Sequence, residues 1–162
     1  MGRTVRGVCV AAACVVAATA WVATGAGAST SGSTGSTKAT KQVTAAFVTL
    51  FNANEKNIKD RQAVLQDAAK YKASFTKLFT GTLAKTNPTE AKVTAVTFPS
   101  AAACTAATKS SKCAAVTYDI DTATTGSTLL TNVSGYAVDV KGHWLVSDAT
   151  FCSLAKLAGA SC

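Results

Sequence analysis

The sequence predicts an α+β fold in which helices lie over one face of an antiparallel sheet. Apolar residues recur at helical spacing as far as Leu83, the period shortens to two from Glu90 onward, and turn residues separate the strand-like runs that follow. At 162 residues the chain has room for one domain with a real core. Hydrophobic residues make up 48%, but much of this is Ala and Val, and aromatics are only 7%. Each large side chain therefore carries an unusual share of the core. Charged residues are sparse at 15% and there are two prolines, which is not the composition of a disordered chain.

Ahead of the first helix, Arg3 and Arg6 precede an uncharged run from Gly7 to Ala28 that leaves through Ala26-Gly27-Ala28. A basic flank, an apolar run and a small-residue exit predict a secretory signal over residues 1–28, and hence a secreted protein. Cys14 as a lipidation site is disfavoured, since Ala11-Ala12-Ala13 precede it with no Leu. Retention of residues 7–28 as a membrane anchor is the alternative, because the run has roughly the ~20 residues of a span. Its many Ala, Gly and Thr favour cleavage. Residues 29–40, rich in Ser, Thr and Gly, read as a flexible linker, which leaves 41–162 as a single domain.

Within that domain Val43, Phe47 and Leu50 share a helical face, with Thr40 as the expected N-cap. Asn57 with Asp60 three residues on predicts a second helix start, with Ile58, Val64 and Leu65 as its apolar face. Tyr71, Phe75, Leu78 and Leu83 line a third helix. Strands are expected in AKVTAVTFP, CAAVTYDID, STLLTNVSGYAVDV and HWLVSD. The second alternates Val116, Tyr118 and Ile120 with Thr117, Asp119 and Asp121, and Lys141-Gly142 forms a hairpin turn. Ser153 to Leu157 reads as a short closing helix ended by Gly159.

Loss of residues 1–28 removes two of the 16 basic residues and none of the 8 acidic ones, for a net charge of +6. It also removes Cys9 and Cys14, leaving Cys104, Cys113, Cys152 and Cys162. Four cysteines in an exported chain predict disulfides, with three connectivities open. Zinc is disfavoured, because its sites use short Cys-x2–4-Cys spacings and His, and this chain has one His. Local pairing is expected. Cys104–Cys113 would close a long, otherwise floppy hairpin loop. Cys152–Cys162 would fasten the chain end after the reversal at Gly159, with Leu154 and Leu157 covering the edge of the core. Each closed loop of about ten residues is worth roughly 2.5–3 kcal/mol by chain entropy. Crossed pairing between the two segments is the alternative.

The order of these segments resembles the C-terminal domain of the mycobacterial low-molecular-weight secreted antigen family, over about residues 41–162. The most specific stretch is Gly142, Trp144, Val146, Ser147, Thr150, Phe151, Cys152 and Leu154, in the pattern G-x-W-x-V-S-x-x-T-F-C-x-L. The resemblance implies an exported actinobacterial protein with a nuclear-transport-factor-2-like, or cystatin-like, cone. In that fold a bent sheet carries helices across its concave side. It implies a cavity but assigns no activity and no catalytic residues.

The residues themselves offer little chemistry. A hydrolase triad needs a nucleophile, a His base and an orienting acid. The single His, His143, sits beside a hairpin turn, and no G-x-S-x-G elbow exists. Asp119 and Asp121 share a strand face and read as a solvated stripe rather than an acid–base pair. Phosphate loops, dinucleotide fingerprints and metal spacings are absent from the sequence, and Asn132-Val133-Ser134 is a chance-level glycosylation match. No enzyme activity, cofactor or metal is expected. Lys56, Lys59, Arg61, Lys70, Lys72, Lys77 and Lys85 concentrate positive charge on the helical segment. Anionic envelope lipid or polymer is the partner this suggests, a plainly solvated face the simpler account, and nucleic acid is a poor partner for an exported protein and is not expected. The leading expectation is a non-catalytic, envelope-associated or interaction protein. A binder of a small apolar ligand is the second reading, with Phe75, Phe79, Tyr118, Tyr136 and Trp144 as candidate cavity lining. A membrane-anchored accessory protein is the third.

Overall fold

The computed structural model describes residues 34–80, 89–157 and 159–162. The expected signal at 1–28, and Leu83 and Lys85, lie outside these. Helix α1 (Thr34–Phe51) opens the fold, followed by α2 (Ile58–Ala63), a 3-10 turn (Ala68–Tyr71) and α3 (Lys72–Thr80). Strand β1 (Thr89–Thr97), helix α4 (Ala101–Thr108), and strands β2 (Cys113–Thr122), β3 (Thr128–Val140) and β4 (His143–Val146) come next, and α5 (Asp148–Leu157) follows. The strands form one antiparallel sheet in sequence order, curled into a half-barrel.

Helix α1 buries Val43, Phe47 and Leu50, the expected stripe, together with Ala46 and Phe51. It touches both β1 and β4, the two outer strands, and so spans the concave side of the curl. It also begins earlier than expected. Residues 34–40 of the presumed linker are helical, and Thr40 is an interior position rather than the N-cap. Ala39 packs against the main core, so the helix gains apolar contact one turn before Val43. Asn57 does cap α2, its side chain accepting from the Lys59 amide at 3.0 Å.

Strand β2 alternates as the sequence requires. Ala114, Val116, Tyr118 and Ile120 are buried on the inner face, and Thr117, Asp119 and Asp121 are half-buried on the outer one. The outer face is not bare. Helix α4 stands where a floppy loop was expected, started by Ser100, whose hydroxyl accepts from the Ala103 amide at 3.4 Å. Its Cys104 joins Cys113 and Val138 in a second, smaller core on this face, with Tyr136 against it. An alanine run has no apolar periodicity to reveal a helix, yet alanine has the best helix propensity of any residue. Helix α5 likewise begins at Asp148, not Ser153, because Ser147 caps it. The Ser147 hydroxyl accepts from the Thr150 amide at 3.2 Å.

The Lys141-Gly142 turn joins β3 to β4 with both residues at positive φ (55° and 86°). At Gly135 a side chain is excluded by contact. An added Cβ would lie 2.6 Å from Thr150 Cγ2 and 3.2 Å from Tyr118 Cε1. Its absence lets the start of α5 descend onto β3.

Candidate functional site

The five candidate lining residues do not form one site. Phe75, Phe79 and Tyr118 belong to a continuous aromatic cluster beneath α1. Ring centroids of Phe75 lie 4.7 Å from Phe79 and 5.5 Å from Phe151, and Tyr118 lies 4.9 Å from Phe47. These rings pack on one another, as core residues do. Tyr136 pairs with Ala115 and packs on the opposite face of the sheet, against Cys104, Cys113 and Val138. Trp144 is 8% exposed and meets Phe98 edge-on at 5.6 Å. It borders a surface depression of about 270 Å³ with Gln42, Thr49, Val64 and His143.

One polar atom in the aromatic cluster stands out. Tyr118 is fully buried and its hydroxyl has no hydrogen-bond partner among the described residues. Burial alone pushes its pKa well above the ordinary tyrosine value, so the group is a neutral phenol at any physiological pH. It can offer one hydrogen bond but no proton chemistry.

The buried hydroxyls Ser147 and Thr150 lie 2.9 Å apart and are committed to the backbone. Thr150 Oγ1 accepts from the Tyr136 amide at 2.7 Å and lies 3.2 Å from the Tyr136 carbonyl, while the Ser147 amide donates to the same carbonyl at 2.9 Å. This pair clamps α5 onto β3 and has no base beside it to activate a nucleophile. His143 is exposed at the hairpin turn. The neighbouring Asp139 is engaged by the Lys112 ammonium and by the Gly142 amide at 2.7 Å, which hold its carboxyl below the usual range. On the outer face Asp119 accepts from the Asn132 amide at 2.8 Å, and Lys92 faces it across the strands. Asp121 keeps a buried, unpartnered Oδ1, so the stripe is half-buried rather than solvated. Among the described residues no group of three or more His, Cys, Asp or Glu is placed to hold a metal ion.

Arg61 requires a correction, because it is not part of a surface patch. Only 8% exposed, it donates to Leu50 O at 3.0 Å, to Asn52 O at 2.5 Å and to Glu55 O at 3.0 Å, closing the C-terminal end of α1. Its guanidinium lies 4.6 Å from the Phe79 ring centroid, and burial lowers its pKa against the opposing pull of Glu55. Lys56, Lys59, Lys70 and Lys72 are exposed, and Lys77 donates to Gly159 O at 2.7 Å.

The cysteines pair locally, Cys104 with Cys113 at a Cα separation of 5.4 Å and Cys152 with Cys162 at 5.6 Å. The second bond anchors the tail after a reversal at Gly159 (φ 70°), and the Ser74 hydroxyl donates to Ser161 O. Ala160, not Leu157, completes the core there. Leu154 is buried as expected, but Leu157 is 73% exposed.

Among the described residues no helix is long and apolar enough to cross a membrane. The family model of the low molecular weight antigen MTB12, C-terminal domain, matches residues 36–162. No curated protein and no solved structure matches the chain.

Proposed function

Because the chain belongs to the family of the low molecular weight antigen MTB12 C-terminal domain, we propose that it is an exported, non-catalytic protein that associates with anionic lipid or polymer of the cell envelope. The observation that carries this is the partition of charge. Between residues 34 and 80 Lys and Arg outnumber Asp and Glu by eight to three, whereas between 89 and 162 the count is five to five. All excess charge in the described residues thus sits on the helical segment. Discounting the buried Arg61 leaves that segment strongly cationic, with Lys56, Lys59, Lys70 and Lys72 exposed. Export is supported by the leader-like residues 1–28 and by two disulfides, which persist in oxidising compartments. Retention of residues 7–28 would make the same protein membrane-anchored. The half-barrel spanned by α1 supports a nuclear-transport-factor-2-like cone.

Sedimentation with anionic vesicles tests the reading. Binding is expected at low salt and should fall steeply by physiological salt, where the screening length shortens to about 8 Å. Lys56→Glu, Lys59→Glu and Lys72→Glu together should abolish it. Absence of binding even at low salt refutes the proposal.

The unpartnered Tyr118 hydroxyl favours a second reading, a small apolar ligand with one hydrogen-bond acceptor that enters the aromatic interior by displacing rings now packed on one another. Native mass spectrometry of protein from its own host should then show a co-purifying mass that Tyr118→Phe diminishes.

A further inference from the structure

The two disulfides sit in opposite surroundings. Cys104 and Cys113 are 1% and 3% exposed and share the smaller core with Val138, with Tyr136 packed against them. Cys152 is half-buried and Cys162 is exposed, so solvent reaches the second bond from its Cys162 side. Thiol–disulfide exchange requires a thiolate to reach one of the two sulfurs, and a buried pair denies that access.

The second bond holds more than the two cysteines. After the reversal at Gly159 the tail is tied to α5 by the Ala160 amide, which donates to Ala155 O at 2.8 Å, and Ala160 is buried in the main core with Phe75 and Phe151. Helix α3 reaches the same tail from its own side. The Ser74 hydroxyl donates to Ser161 O, and the Lys77 ammonium donates to Gly159 O at 2.7 Å. Beside Ser74 on α3, Phe75 stacks on Phe151 of α5 at 5.5 Å. Residues 159–162 are thus a strap that joins α3 to α5 beside the aromatic cluster, and Cys152–Cys162 is its fastening. With one buried alanine among them, these residues have little else to keep them in place.

We propose that Cys152–Cys162 is an exchangeable bond, a site for attack by a dithiol at the Cys162 sulfur, and that its opening frees the strap and loosens α3 from the aromatic cluster while Cys104–Cys113 stays closed. A thiolate of the dithiol attacks Cys162 Sγ, the S–S bond breaks, and its electron pair leaves on Cys152 Sγ. The second thiol of the reagent then attacks its own sulfur in the mixed disulfide and releases Cys162. The dithiol is oxidised to a disulfide, and its two protons end on the two protein thiols. The inference rests on neither proposed function.

The test uses the full chain with both disulfides formed and dithiothreitol as the dithiol. Timed alkylation with iodoacetamide, read by peptide mass mapping, should label Cys152 and Cys162 at least about tenfold faster than Cys104 and Cys113. In the selectively reduced protein, hydrogen exchange should quicken at residues 72–80 and 155–162 and stay unchanged at 113–122. The coupling is reciprocal, so removing the contacts that the strap makes with α3 should favour the open form. Ser74→Ala with Lys77→Met should shift the exchange equilibrium toward the reduced protein by about fivefold, and Lys59→Met, on α2, should not shift it. Equal labelling of all four cysteines, earlier opening of Cys104–Cys113, unchanged exchange at 72–80, or an equilibrium indifferent to Ser74 and Lys77 would each overturn the proposal.

Discussion

Removing the Arg61 side chain strips the end of α1 of its only described side-chain cap. In Arg61→Met the Leu50 carbonyl, which is buried, loses its donor and cannot be reached by water, a cost of about 2 kcal/mol. The Asn52 and Glu55 carbonyls are part-buried and rehydrate, so together they add about 1 kcal/mol. Loss of the cation over Phe79 adds about 1 kcal/mol. Against these stands relief of the guanidinium's desolvation, the dominant cause of its lowered pKa. The lost contacts sum to about 4 kcal/mol, so the net destabilisation lies below that, a fall of up to roughly 15 °C in the thermal midpoint of a domain this size. Arg61→Lys keeps the charge but not the fork, reaches one carbonyl at a time, and should recover about half of the loss. Urea titration followed by circular dichroism reads both. An Arg61→Met variant within about 0.5 kcal/mol of the parent would mean that the burial, not the bonds, holds this corner.

Three further perturbations follow from single contacts. Gly135→Ala drives a Cβ into Thr150 and should cost about 2 kcal/mol by urea denaturation, loosening α5 from β3. Tyr118→Phe removes a buried hydroxyl without a partner, so it should leave stability unchanged or raise it by about 1 kcal/mol; a loss of similar size would reveal a bond to an internal water. Asp139 has a depressed folded pKa, caused first by Lys112, so its contribution is present above the unfolded value near pH ~3.9 and disappears as pH falls through the folded value. In Asp139→Asn the acid limb of the urea midpoint against pH should be shallower, and an unchanged limb refutes the assignment.

What the sequence made legible is what periodicity encodes. The Val43, Phe47 and Leu50 stripe, the alternation of Val116, Tyr118 and Ile120, and the Lys141-Gly142 turn are each local patterns with one physical reading. The misses share a different cause. Helix α4 hides in Ala101-Ala102-Ala103, where every face is equally apolar and only Ser100 marks a start. Arg61 is indistinguishable from its lysine neighbours until the end of α1 is seen to need a planar, multi-donor cap. Tyr136 and Tyr118 look equivalent in the sequence because in β3 residues of both parities are apolar, so nothing local says which face is inner. The register Ala115–Tyr136 decides it. The separation of the candidate lining residues is therefore a long-range fact, and no single segment contains it.

The family block bears on where function can reside. Gly142 turns the chain, Trp144, Val146, Phe151 and Leu154 fill the core, Ser147 and Thr150 clamp α5, and Cys152 anchors the tail. Each of these residues serves the fold, so what the block itself transfers is an architecture. On the proposed envelope association, the cationic helical face is the surface the block leaves free for a partner. A charge change away from that face separates local from net charge. Leu129→Lys adds one positive charge on β3, so vesicle binding should stay close to that of the parent if the helical face makes the contact. Clearly tighter binding by Leu129→Lys would show that net charge alone governs the association.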